Sequence, residues 1–220
     1  MKTVGILGGM GPQATVLLMQ RLLGAVAAGD DADHIPLIVH QNPAVPSRLR
    51  RLVDGEGEDP SPVLAKMARD LQAAGAGALA MPCNTAHAYA PQIIAATTLP
   101  FLDMRRATVA ALPKGRVAML ASPAVRLTGA FDAAFAAAGI LPIWPADEGP
   151  VLALIRQVKS GDTGPDALRA MAAIAEAASH EGDHLLVACT ELSLLTGDMT
   201  QPFTDSLDCL VTSIRSFAQS

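Results

Sequence analysis

At 220 residues the chain is long for one compact unit and suits two lobes or one large one. Half of it is hydrophobic but only 3% is aromatic, so the core must be aliphatic, and no run reaches the ~18 apolar residues of a transmembrane helix. A net charge of −5 and the lack of any Lys/Arg-rich run argue against nucleic acids and anionic membranes as partners, because neutralising phosphate dominates such binding.

Short apolar runs alternate with longer Ala-rich amphipathic stretches. Residues 3–7 read as a strand, cut at once by Gly8-Gly9-Met10-Gly11-Pro12, which argues against a signal peptide. A helix is predicted over 12–28, a strand over 35–40 and a helix over 62–74. Ser61 would cap that helix, with Pro62 at its first position and Gly75 as its stop. A strand at 77–81 runs into Pro82-Cys83-Asn84-Thr85, and a boundary is placed near Thr97-Thr98-Leu99-Pro100. The second half repeats the order: strand 116–121, helix 127–138 ending at Gly139, strand 140–143, helices 151–160 and 166–181, then strand 184–188. That last strand leads to Cys189-Thr190-Glu191, and an amphipathic helix closes the chain at 206–217. Three cysteines do not make a disulfide framework, so reduced thiols and a cytoplasmic setting are expected.

Val4-Gly5-Ile6-Leu7-Gly8-Gly9 aligns with Val117-Ala118-Met119-Leu120-Ala121-Ser122, each an apolar strand entering a small-residue turn. Later in each half, an apolar strand leads to a cysteine. Any two α/β lobes share such patterns, so the repeat alone leaves duplication open. Alternating strands and helices predict parallel sheets covered on both faces. The expected fold is α/β, with two similar doubly wound lobes related by a pseudo-two-fold axis. Residues 1–98 form the first lobe and 99–205 the second, and the helix at 206–220 packs back on the first. Ligands of such sheets bind outside the carboxyl ends of the strands. Cys83 and Cys189 would then face each other across a shared cleft.

Each of these cysteines precedes polar residues that open a helix, whose N-terminus can lower a thiol pKa and make a thiolate base. A lone cysteine in such a place reads as a small buried hydrophobe. Two at matched positions, followed by Asn-Thr and Thr-Glu, favour chemistry, and Cys209 keeps the bland reading. Arg48, with Arg50 and Arg51, reads by itself as a solvated charge run. Gly9-Met10-Gly11-Pro12-Gln13-Ala14 also fits the dinucleotide pattern G-x-G-x-x-A. That pattern wants an acidic residue at the end of the second strand, where this chain has His40-Gln41-Asn42, and Asp30, Asp31 and Asp33 come too early. A glycine turn that cradles a carboxylate explains the same residues. Cys83, His87 and Cys189 lack the paired spacing of a zinc site, so no metal is expected. A non-enzymatic binding protein would have no need of matched thiols.

Gly5-Ile6-Leu7-Gly8-Gly9-Met10-Gly11-Pro12-Gln13-Ala14-Thr15, Pro82-Cys83-Asn84-Thr85-Ala86-His87 and Ala188-Cys189-Thr190-Glu191-Leu192 resemble the three signature blocks of the aspartate/glutamate racemase superfamily. The first block is most similar to the aspartate racemase branch. The resemblance implies a cofactor-independent racemase of aspartate or glutamate, with no pyridoxal phosphate, nicotinamide or metal, working as a homodimer. Cys83 and Cys189 would be the paired acid and base, one taking the Cα proton and the other delivering one to the opposite face. Asn42-Pro43-Ala44-Val45-Pro46-Ser47-Arg48 is similar to the loop whose arginine holds the side-chain carboxylate, and Ile155-Arg156-Gln157-Val158-Lys159-Ser160-Gly161 to the segment whose lysine joins it. Met10, Asn84, Thr85, Ser122 and Thr190 complete the implied substrate site. Hydantoin racemase and maleate isomerase of the same superfamily also place cysteines here, as does arylmalonate decarboxylase, which needs one. One turn departs from the family pattern Ala-Thr-x-Gly-Thr: this chain reads Ala121-Ser122-Pro123-Ala124-Val125. Ser122 keeps a donor while Pro123 removes one, a change that bears on substrate identity rather than reaction type.

Overall fold

The computed structural model describes residues 1–220. Two wholly parallel, four-stranded sheets organise the chain. The first contains β1 (Val4–Gly8), β2 (Leu37–Gln41), β3 (Ala78–Ala80) and β4 (Phe101–Leu102) in the order β2-β1-β3-β4. The second contains β5 (Gly115–Leu120), β6 (Ile140–Ile143), β7 (His184–Val187) and β8 (Phe203–Asp205) in the order β6-β5-β7-β8. The second sheet therefore repeats the first strand for strand, and β3 and β7 are counterparts. The expected two-lobed α/β architecture is present.

Helices α1 (Pro12–Gly24), α2 (Arg48–Leu52), α3 (Ser61–Ala73), α4 (Ala90–Ala95) and α5 (Met104–Ala111) connect the strands of the first sheet and lead to the second. The second half carries α6 (Pro123–Leu127), α7 (Asp132–Ala138), α8 (Gly149–Lys159), α9 (Pro165–Ser179) and the terminal α10 (Ser206–Gln219). None is long and apolar enough to cross a membrane.

Strand alternation explains why each sheet has two cores. In β1, Leu7 packs with Leu64, Leu71 and Leu79 on one side, while Val4 and Ile6 pack on the other with Leu18 and Leu22 of α1. That second side also receives Leu207, Leu210 and Ile214, so α10 leaves the second sheet and buries its apolar face against the first. The second sheet repeats the division, with Ala118, Leu120, Leu185 and Val187 on the face under α8 and α9. Val117, Met119, Leu186 and Ala188 take the opposite face, beside the stacked pair Phe131 and Phe135. Successive side chains of a strand point to opposite faces, so both faces of a covered sheet must be apolar.

Several local expectations are corrected. The helix predicted at 127–138 starts only at Asp132, as α7; Leu127 instead ends the separate short helix α6, and Gly129, with φ of +59°, turns the chain between them. Ser61 is not a cap but the first residue of α3; Asp59 Oδ1 accepts from the Ser61 amide at 2.9 Å and from its hydroxyl at 2.7 Å. The first helix ends at Gly24 rather than 28. Gly75 and Gly139 do follow helices with φ of +95° and +70°.

Candidate active site

A cavity of about 230 Å³ opens where the carboxyl ends of both sheets meet. Every segment that lines it follows a strand end or starts from a loop beside one. Gly9–Gln13 follow β1, Cys83 and Thr85 follow β3, Ser122 follows β5, and Cys189 and Glu191 follow β7. Val45, Ser47, Arg48 and Leu49 close it from the loop after β2 and from α2, and Ile155 and Lys159 reach in from α8.

The glycine turn is shaped by close packing. Gly9 has φ of +94°, and its amide donates to Thr15 Oγ1 at 3.0 Å. A Cβ there would lie 2.5 Å from the Asn42 carbonyl carbon. The turn after β1 and the loop after β2 can touch only because that side chain is missing.

The two thiols sit in like surroundings, each 6% exposed. The Cys83 carbonyl accepts from His87 Nδ1 at 2.8 Å, and the Met104 amide donates to His87 Nε2 at 3.3 Å. A carbonyl only accepts and an amide only donates, so His87 is the neutral tautomer protonated on Nδ1. It packs behind Cys83 as a positioning group, against the Phe101 ring. Burial, partly opposed by the Asp103 carboxylate, lowers its pKa from 6.5 to about 4. An unfolded histidine takes its proton near pH 6.5, whereas the folded one resists until about pH 4. Between those values only the unfolded state binds the proton, so stability is complete above pH 6.5 and falls as pH drops. The expected loss by pH 4 is about 3 kcal/mol, at ~1.4 kcal/mol per pH unit. Urea midpoints measured from pH 7 to pH 4 should show it, and a His87→Asn variant should have a flatter slope over the same range.

Cys189 corrects an expectation. Its Sγ donates to Glu191 Oε2 at 3.2 Å. Burial, followed by the Glu191 carboxylate, raises the thiol pKa well above the ordinary value. The segments after the cysteines are short 3-10 turns, Thr85–Tyr89 and Leu192–Asp198, not the helices whose dipoles were expected to favour a thiolate. Burial and the adjacent carboxylate therefore favour the thiol form of Cys189.

Glu191 is the functional candidate that sequence reasoning passed over. It is 6% exposed, lines the cavity, and bridges Cys189 and Lys159 through its two oxygens. Burial works against the Lys159 charge, but the Glu191 carboxylate outweighs it, by its charge and its hydrogen bond, and raises the ammonium pKa. The acidic residue was visible in the Cys-Thr-Glu block, yet nothing in that block indicates that Lys159, 32 positions earlier, returns beside it.

Arg48 is braced at the start of α2, where Ser47 Oγ accepts from the Arg50 amide at 3.3 Å. Its Nη1 donates to the Val45 and Pro46 carbonyls at 3.2 and 2.9 Å, while the buried Nε has no partner. The guanidinium is thus aimed by its own loop with donors left over. Ser122 Oγ accepts from the Ala124 amide at 3.1 Å and caps α6, with Pro123 at the first helical position. Its hydroxyl proton stays available to a ligand. Met10 and Thr85 also line the cavity.

Two expected contacts point elsewhere. The Asn84 side chain donates to Ser206 Oγ at 2.8 Å, and Thr190 Oγ1 donates to the Pro82 carbonyl at 3.2 Å. Neither lines the cavity, because each is drawn into the contact between the lobes. Cys209 lies on α10, away from the cavity, with its pKa pushed up to about 11 chiefly by burial. No three His, Cys, Asp or Glu side chains are grouped as metal ligands.

Fold and cavity together define a two-lobed α/β protein whose matched thiols share one interlobe site with opposed charges. Residues 7–214 match the model of the Asp/Glu/Hydantoin racemase family, and the chain belongs to that family, as an isomerase of the racemase class. It is 25% identical over 227 aligned positions to the broad specificity amino-acid racemase RacX of Bacillus subtilis (strain 168), covering 96% of this chain and 95% of that protein. Its structure is similar to Picrophilus torridus aspartate racemase, with a TM-score of 0.91 and 28% identity over all of this chain and 95% of the other. A glutamate racemase from Francisella tularensis, solved with D-glutamate, shares the fold at a TM-score of 0.65 and 14% identity, covering 98% of this chain and 80% of that one.

Proposed function

We propose that the protein interconverts the enantiomers of aspartate or glutamate by proton transfer between its two thiols, without a cofactor. The observation that carries this reading is the placement of Cys83 and Cys189, from counterpart strands, in one cavity with Arg48 and Lys159. In this scheme one sulfur, as thiolate, removes the Cα proton, and the other, as thiol, protonates the opposite face. Burial and the Glu191 carboxylate beside its sulfur favour the thiol form of Cys189, the form that delivers a proton. Reversed roles handle the other enantiomer.

The substrate's charges find complements in the cavity. The side-chain carboxylate meets Arg48 and Lys159, which suit it as fork and point charge. Glu191 is the only acidic side chain among the lining residues, and it fits the substrate ammonium. The α-carboxylate falls to Thr85 and Ser122, whose hydroxyls are directed donors, and to backbone amides of the glycine turn. An ammonium arriving beside Glu191 weakens its hold on Lys159 and frees that cation for the second carboxylate. A chain closing over the substrate and excluding water would strengthen each contact.

A chiral assay of the purified protein against aspartate, glutamate and neutral amino acids tests this directly. Arg48→Ala and Lys159→Ala should each lower turnover of the acidic substrate by at least about tenfold, the scale of losing a charged hydrogen bond of ~1.5–3 kcal/mol. RacX is named for broad specificity, and the Lys159–Glu191 pair offers this chain a route to the same behaviour by neutralising the cation. Alanine or another neutral amino acid as the best substrate would overturn the acidic assignment while leaving the racemase reading intact. Activity lost in EDTA and restored by added metal, or a bound chromophore needed for turnover, would refute the cofactor-free scheme.

A further inference from the structure

Outside the cavity, buried polar side chains converge where the chain passes from β8 into α10. Asp205 and Ser206 are 3% and 0% exposed, and their partners Ser193 and Asn84 are 2% each. Asn84, the residue after Cys83, donates to Ser206 Oγ at 2.8 Å. Ser193 Oγ donates to Asp205 Oδ1 at 2.8 Å, and the Ser193 amide donates to the Cys189 carbonyl at 3.3 Å. Arg21 of α1 donates to Asp205 Oδ2 at 2.6 Å and to the Ser193 carbonyl at 2.7 Å. The loops that carry the two thiols thus both bond to the same dipeptide, and Thr190 adds a direct tie to the Pro82 carbonyl.

We propose that Asp205-Ser206 is a clasp that sets the relative position of the two thiol loops, and that its four-residue network of Asn84, Ser193, Asp205 and Ser206 tunes proton delivery rather than substrate binding. The proposal rests on the two-thiol reading above. Its physical basis is the anchoring of α10: Leu207, Leu210 and Ile214 are sunk in the first lobe's core, so the helix start is packed onto the lobe that carries Cys83. Asp205, capping that helix through the Leu207 amide at 2.9 Å, extends the same frame to the Cys189 turn. Buried polar groups are costly when unpaired, so breaking any of these few hydrogen bonds is penalised and the network favours one arrangement. Asn84 Oδ1 has no partner, which leaves the bond to Ser206 as the sole hydrogen bond of that side chain.

Ser206→Ala removes that bond with the smallest change of volume. Turnover is expected to fall at least about tenfold with KM within about threefold, because a misplacement near 1 Å can cost ~100-fold in rate without altering the binding groups. The discriminating measurement is made in D₂O. If the receiving thiol is poorly aligned, deuterium washes into the recovered starting enantiomer more often than it appears in inverted product, and this ratio should rise at least about threefold. Ser206→Thr, which retains the hydroxyl, should return the ratio towards that of the unmodified protein. A role in stability alone lowers the amount of active enzyme and leaves the ratio unchanged. Ser193→Ala opens the other end of the clasp and provides the same readout should Ser206→Ala fail to fold. An unchanged ratio in the folded variants, with Cys83→Ser and Cys189→Ser inactive, overturns the clasp alone. Racemisation persisting in the cysteine variants removes the reading beneath it as well.

Discussion

Cys83→Ser and Cys189→Ser are each expected to lose racemisation by about 10³-fold or more, the range attributed to a positioned acid or base. A serine hydroxyl is far too weak a base near neutral pH without an activating partner. His87 cannot serve as that partner at Cys83, since its Nδ1 proton is committed to the Cys83 carbonyl and its Nε2 to the Met104 amide. At position 189 the hydrogen-bonded neighbour is the Glu191 carboxylate, and a carboxylate is a poor match for an alcohol. Cys209→Ser should remain near full activity, because Cys209 does not line the cavity. Chiral chromatography checks the loss, and exchange in D₂O checks its meaning. The thiol left in each single variant can still exchange the Cα proton of the enantiomer it faces, so the two variants should favour opposite enantiomers. Near-normal racemisation by both variants would end the two-thiol mechanism.

Gly9→Ala should be the most damaging of the glycine-to-alanine changes. The backbone is left-handed there, at φ of +94°, and the new Cβ would lie 2.5–2.6 Å from the Asn42 main chain. Main-chain atoms cannot rotate away as a side chain would. Left-handed strain of ~1–2 kcal/mol and overpacking of ~1–3 kcal/mol together suggest about 3 kcal/mol of destabilisation. For a chain of this size that corresponds to a fall in Tm of roughly 6–12 °C, measurable by calorimetry or circular dichroism. Activity should fall as well, since relief of the clash must push apart the glycine turn and the Asn42 loop, and Arg48 is carried by the same loop that starts at Asn42. Gly55, also left-handed but with nothing within 4 Å of its Cβ position, provides the control. Gly55→Ala should show the backbone strain without the collision.

Much of the architecture was legible because parallel sheets write themselves into local patterns. β1, β3, β5 and β7 are near-continuous apolar runs between glycine or polar punctuation, and burial on both faces requires that. β4 and β8 escaped notice because two or three residues are too few to establish a period. Their strand state comes from pairing with β3 and β7. The start of α7 was read too early, because the residues from Leu127 to Phe131 differ little in pattern from the alanine-rich helix they precede and only Gly129 marks the turn.

The candidate site divides along the same line. Cys83 and Cys189 stand out in the sequence because each ends an apolar strand in one of two like units, a feature carried entirely by neighbouring residues. Arg48 and Lys159 needed the family resemblance, since a guanidinium or an ammonium on an amphipathic stretch looks the same whether it faces water or a cavity. Which polar side chains turn inward was decided by tertiary structure alone. Asn84 and Thr190 follow the two cysteines directly, yet the contact between lobes draws the first to Ser206 and the second to Pro82. Glu191 becomes a site residue because α8 delivers Lys159 to it. Hydrophobic alternation specifies which face of an element is buried. The partner of a buried charge depends on where distant elements end in space, and no local pattern encodes that.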